Sequence, residues 1–182
     1  MPSLRNLIDD MIVVTREPEV KVTTIARALQ IAGMLPTSRG KAIADVEPEH
    51  VAALITGIAL APLAKDAAEA VARYLALRPA GLPDSYPGEV LTAGDMLAGI
   101  IATIGSENPK REGMMRQTIA FGITSPAVEI RDESGAMIAR FLERGTDPQR
   151  RPGVFWREAS VSCALFAFLG AGNGRAGAYT WE

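Results

Sequence analysis

Apolar residues recur at helical spacing along the first half of the chain and in near-alternation along much of the second. Leu4, Leu7, Ile8, Met11 and Ile12 fall at i, i+3, i+4, i+7 and i+8, one face of a helix that Ser3 caps and that runs to about Val14. The stretch from Thr15 to Glu19 breaks it, because Pro18 cannot continue an interior helical turn. A second helix begins near Val22 or Thr23, with Val22, Ile25, Ala26, Leu29 and Ala32 as its buried stripe and Gly33 just past its end. The turn Thr37 to Lys41 carries two cations and a glycine, and Ala42 to Val46 reads as a short return strand. Pro48 opens a third helix behind a Glu47 cap, with Val51, Leu54, Ile55, Ile58 and Ala59 in period and Pro62 marking its end. Lys65 to Leu77 predicts a fourth, with Ala68, Val71, Ala72 and Leu75 inward.

Prolines and glycines from Arg78 to Val90 predict a linker or long loop. Thr92 then caps a helix whose stripe is Met96, Leu97, Ile100, Ile101 and Ile104, and Gly105 stops it. Ser106 to Gly113 reads as a polar, mobile connection. Beyond it the period shortens. Thr118 to Thr124, Ala127 to Arg131 and Ala136 to Leu142 predict strands, the last two joined by a hairpin turn at Asp132 to Gly135. Thr146 to Gly153 is a second polar break, and Val154 to Ser162 reads as a further strand. Cys163 to Gly170 fits either its continuation or a short buried helix.

Composition adds few constraints. The 182 residues are 48% hydrophobic and 22% charged, enough for a sizeable core in one domain or two small ones. Aromatics are only 5%, so that core must rest on aliphatic side chains. A net charge of -2 argues against a highly basic, non-specific nucleic-acid coat and leaves room for a local basic face. One cysteine, Cys163, rules out an intrachain disulfide framework and fits a reducing cytoplasm. No secretory signal pattern opens the chain, and the longest apolar runs, near Ile55 to Ala64 and Cys163 to Ala171, are too short to span a bilayer.

The sequence thus predicts an α+β protein. A mainly helical, winged-helix-like region covers residues 1–78, and a helix with a small antiparallel sheet covers 90–182. Helix, tight basic turn and return strand over Val20 to Val46 is the outline of a recognition helix followed by a wing. On that outline Lys21, Thr24, Arg27 and Gln30 form a DNA face on the helix, and Arg39 and Lys41 extend it on the turn. Arg and Gln make bidentate contacts to guanine and adenine edges, while Lys and Thr hold phosphates. Residues 1–46 are nearly charge-balanced: Arg5, Arg16, Lys21, Arg27, Arg39 and Lys41 stand against Asp9, Asp10, Glu17, Glu19 and Asp45. One copy would therefore bind weakly, and a homodimer would compensate.

The stretch from Thr23 to about Leu77, roughly a third of the chain, also carries a pattern of its own. Ala26-Arg27-Ala28-Leu29 leads to Ala32-Gly33-Met34-Leu35-Pro36 and Arg39-Gly40, then Ala52-Ala53-Leu54-Ile55 and Lys65-Asp66-Ala67-Ala68-Glu69-Ala70-Val71. It resembles a group of small, uncharacterised alphaproteobacterial phage and prophage-type proteins with a helix-turn-helix-like N-terminal region. The resemblance implies a DNA-binding or phage-related role for the N-terminal part; the C-terminal half departs from it.

Other candidate chemistry is thin. His50, the only histidine, has no partner for a metal or catalytic site, and Cys163 sits in an apolar run that predicts a buried, inert thiol. Arg150 and Arg151 form a small basic spot. The glycine-rich Gly170 to Gly177 lacks the Lys-Ser/Thr ending of a phosphate loop, and Glu129, Asp132 and Glu133 are explained by a hairpin turn. No cofactor, metal or enzyme activity is expected. The expectation is a cytoplasmic DNA-binding transcriptional regulator of phage or gene-transfer type. Its partners would be double-stranded DNA, a second copy or a protein docking on the C-terminal region, and no membrane. The rivals are a phage packaging or assembly component of small-terminase type and a protein-interaction module without DNA binding.

Overall fold

A computed structural model describes residues 3–37, 45–60, 63–82, 86, 89–147 and 157–169. Helix α1 spans Leu4–Thr15, and Ser3 caps it by accepting the Asn6 N–H at 3.2 Å. Helix α2 spans Glu19–Ile31 and starts earlier than its apolar stripe predicts, because Pro18 stands at its N-cap and so precedes the helix without interrupting it. Its end is a Schellman turn. Gly33, at φ +74°, donates to Gln30 O, and Met34 donates to Leu29 O at 2.9 Å. Helix α3 spans Pro48–Leu60, and the Glu47 N–H donates to His50 Nδ1 at 2.9 Å. The single histidine thus plays the part that a Glu or Gln plays in a capping box.

A 3-10 turn, Ala64–Asp66, leads into α4, Ala67–Leu75. Its buried residues are Ala67, Val71 and Tyr74, so the helix is rotated from the expected face and Ala72 is exposed. The cause is Tyr74, whose hydroxyl donates to the Gly122 carbonyl at 2.5 Å; a partnered tyrosine buries more surface than Leu75 would. Helix α5, Ala93–Ile104, has a full capping box between Thr92 and Asp95 and ends at Gly105. Within the expected polar connection a five-residue helix α6, Arg111–Met115, begins; it is too short for periodicity to reveal.

Strands β2 (Thr118–Gly122), β3 (Ala127–Arg131) and β4 (Met137–Leu142) form an antiparallel meander. The β3–β4 turn is built as expected: Asp132 Oδ1 accepts the N–H groups of Ser134 and Ala136, and Gly135 takes φ +83°. Strand β5 (Glu158–Ser162) pairs antiparallel with β2. Strand β1 is the two-residue Arg78–Pro79 and pairs with β4 inside the stretch expected to be loop. The spatial order is β1-β4-β3-β2-β5. After β5 the chain turns into a 3-10 segment, Cys163–Phe168, capped by Ser162; this is the short-helix alternative for that stretch.

The architecture is α+β, a helical N-terminal region followed by a small sheet. One hydrophobic cluster runs from Leu4 and Leu7 through Leu29, Leu54 and Leu97 to Phe121, Phe141 and Leu169, and it passes through both regions expected from the sequence. Helix α3 is its axis. Seven of its residues from Val51 to Ile58 besides Gly57 are buried, and it packs against α2, α4 and α5. Gly57 lets α2 approach: a Cβ there would lie 2.7 Å from Ile25 Cγ2. Of the expected return strand, residues 42–44 lie outside the described residues; Asp45 makes an isolated antiparallel bridge with Ser3, and Val46 is buried.

Candidate nucleic-acid interface

Helix α2 buries Val22, Ile25, Ala26 and Leu29, so the opposite face is fixed by the same period. Val20, Thr24, Arg27 and Ile31 are spaced i, i+4, i+7 and i+11, and all four are exposed. Thr24 and Arg27 therefore stand side by side in the middle of that face. Arg27 has no carboxylate partner among the described residues.

The other two helix candidates are differently placed. Lys21 is half-buried, and its Nζ lies 2.8 Å from Glu17 Oε1 across one helical turn, so its charge is locally compensated. Gln30 is also half-buried and donates an amide N–H to Pro36 O at 3.3 Å. That bond anchors the chain leaving α2 and leaves the side chain one N–H and its carbonyl for other use. Arg39 and Lys41 lie outside the described residues, as do Arg150, Arg151 and the glycine-rich stretch Gly170 to Gly177.

Two exposed residues on this face, Val20 at 76% and Ile31 at 80%, escaped the sequence reading. The signal was available, since they are the apolar residues of α2 that fall off its buried stripe. Thr23, also exposed, spends its hydroxyl on Glu19 O at 2.8 Å and so contributes a methyl group to the surface.

A second polar cluster lies on the sheet. Glu129, expected as part of a hairpin turn, stands in the middle of β3 and is buried. Its Oε2 accepts from Arg131 Nη2 at 2.6 Å, and its Oε1 lies 3.1 Å from Arg140 Nε on β4. Arg131 also reaches both carboxylate oxygens of Glu158 on β5, at 2.9 and 2.8 Å. The hydrogen bonds that Arg131 donates to Glu158 and then to Glu129 hold its guanidinium pKa above the ordinary value. Alternation on the pleat predicts that these residues share a face, but only the register makes them neighbours: Glu129 opposes Arg140, and β2 lies between β3 and β5. The four charges balance one another across three strands. That arrangement ties β5 to the sheet and offers no open acid or base.

The Cys163 thiol is fully buried, and desolvation pushes it up to about 12. Among the described residues no group of three His, Cys, Asp or Glu side chains is placed to hold a metal ion, and no helix is long and apolar enough to cross a membrane. Neither a family model, nor a curated protein, nor a solved structure matches this chain.

Proposed function

We propose that the protein is a DNA-binding transcriptional regulator of phage or gene-transfer type that lays the outer face of α2, and the basic turn after it, on duplex DNA. The observation that carries this reading is the exposed pair Thr24 and Arg27 at the centre of that face, with Arg27 uncommitted to any carboxylate among the described residues. Arg27 reads a guanine edge and Thr24 contacts a phosphate or a thymine methyl. Val20 and Ile31 add apolar contacts at either end of the helix. Lys21, released from Glu17, supplies a phosphate contact, and Arg39 and Lys41 supply more from the turn.

Anisotropy of a labelled duplex, titrated with purified protein at two salt concentrations, tests this. Binding is expected to weaken steeply with salt. Arg27→Ala is expected to cost about 1–3 kcal/mol on a preferred site and less on random sequence. No binding up to ~100 micromolar protein, the weak limit for non-specific association at physiological salt, overturns the reading.

The exposed Val20 and Ile31 favour a second reading, in which the same helix face docks on a protein. Under that reading Val20→Ser with Ile31→Ser abolishes capture of the partner, and Arg27→Ala leaves any duplex affinity unchanged.

A further inference from the structure

The outer face of α2 is poor in hydrogen-bonding groups. Val20, Thr24, Arg27 and Ile31 fall within about 60° of one another around the helix axis, so they form one narrow stripe. Its two ends, Val20 and Ile31, are more exposed than any other large hydrophobic side chain among the described residues. Thr24 carries a methyl group beside its hydroxyl, and Thr23, at the margin of the stripe, has its hydroxyl engaged by Glu19 O. The neighbouring polar side chains stand off the stripe and are engaged, Lys21 with Glu17 and Gln30 with Pro36 O. Arg27 is thus the one charged side chain in a row of methyl groups, and it has no carboxylate partner among the described residues.

A row of that chemistry has a counterpart in the major groove. Guanine offers N7 and O6 to a guanidinium, and each thymine offers a C5-methyl group; an adenine edge calls for a side-chain amide, which the stripe lacks. The spacing agrees. Along the axis Thr24 lies about 4.5 Å from Arg27, Ile31 about 6 Å and Val20 about 10.5 Å, at a rise of about 1.5 Å per residue. With base pairs about 3.4 Å apart, and α2 lying along the groove, these distances are about one, two and three steps.

We infer that α2 recognises a guanine set among thymine methyl groups. Arg27 takes the guanine edge. Thr24 and Val20 pack on the methyls of A·T pairs about one and three steps to one side of it, and Ile31 on a methyl about two steps to the other. The inference rests on the reading of α2 as a DNA-contacting helix and adds what the duplex must present. Packing on those methyls takes Val20 and Ile31 out of water, which the free chain leaves undone.

Anisotropy titration of the full chain against three short labelled duplexes tests it. The first carries one G·C pair flanked by A·T pairs, which present a methyl at every step whichever strand holds the thymine. The second is the same duplex with uracil for every thymine, and the third has 7-deazaguanine for the guanine. Uracil is expected to weaken binding about fourfold for each contacted methyl, the worth of one buried methyl group, and 7-deazaguanine about tenfold. Val20→Ala with Ile31→Ala, at two exposed positions, is expected to bring the thymine and uracil duplexes together and to leave the 7-deazaguanine effect in place; Arg27→Ala is expected to do the reverse. Equal affinity for the thymine and uracil duplexes, with clear binding to both, overturns the inference and leaves the DNA reading standing. So does a thymine preference that survives the double variant. No binding to any duplex at ~100 micromolar protein overturns both, and the apolar ends of the stripe then belong to a protein contact.

Discussion

Thr92 and Asp95 satisfy the start of α5 reciprocally: the Asp95 N–H donates to Thr92 Oγ1 at 3.2 Å, and the Thr92 N–H donates to Asp95 Oδ2 at 2.8 Å. Thr92→Ala is expected to lower stability by about 1 kcal/mol at neutral pH, read from urea unfolding. The Thr92 hydroxyl and N–H hold the Asp95 carboxyl below its ordinary value. A depressed carboxyl stabilises the fold above its unfolded pKa, and the contribution disappears as pH falls through the folded value. The Thr92→Ala penalty should therefore shrink in acid. Cys163 gives a second residue-level test. Its thiol is buried and raised to about 12, so labelling at pH 8 is expected to be at least ~100-fold slower in the folded chain than in urea. Prompt labelling without denaturant would show that the 3-10 segment opens readily.

Between elements the decisive contacts are close approach and one hydroxyl. Gly57 sits where α3 meets α2, and a Cβ there would lie 2.7 Å from Ile25 Cγ2 and 3.4 Å from Val71 Cγ2. An alanine in a helix gains about 1 kcal/mol over glycine in propensity, but overpacking against a β-branched side chain costs about 1–3 kcal/mol. Gly57→Ala is therefore expected to destabilise on balance and Gly57→Val to do so more, seen as falling midpoints at unchanged slope in urea. Tyr74 joins α4 to the end of β2 through its hydroxyl on Gly122 O. Tyr74→Phe removes one hydrogen bond from that carbonyl, which Gly122 also turns toward Ala127 of β3, and is expected to cost about 0.5–1.5 kcal/mol. An unchanged midpoint would mean that water replaces the hydroxyl.

At the scale of the whole molecule the hydrophobic cluster is continuous from α1 to the segment after β5, with α3 packed on α5 and reaching β2 and β5. A shared core couples its parts, so helix and sheet are expected to unfold together. Circular dichroism of the helices and labelling of Cys163 behind the sheet should give the same urea midpoint. Two separated transitions would show that the helical region holds without the sheet. The outer face of α2 lies outside this core and is the surface proposed to contact DNA.

The sequence by itself determined most elements, because their signals are local. Stripes at helical period and the caps Ser3, Gly33, Thr92 and Gly105 mark α1, α2 and α5, while alternation and the Asp132 to Gly135 turn mark β3 and β4. It also implied which face of α2 is outward, since the buried stripe leaves Thr24 and Arg27 no other place. Tertiary structure decided what depends on a distant partner. Arg78–Pro79 is a strand only because β4 supplies its ladder, and α4 is rotated because Tyr74 finds Gly122 O across 48 residues. Glu129 is tolerated in the middle of β3 because Arg131 and Arg140 are brought beside it, and Gln30 turns inward to Pro36 O. The place of β5 beside β2 is likewise a fact of strand order. No pattern within Glu158–Ser162 records that β2, about forty residues earlier, is the strand it pairs with.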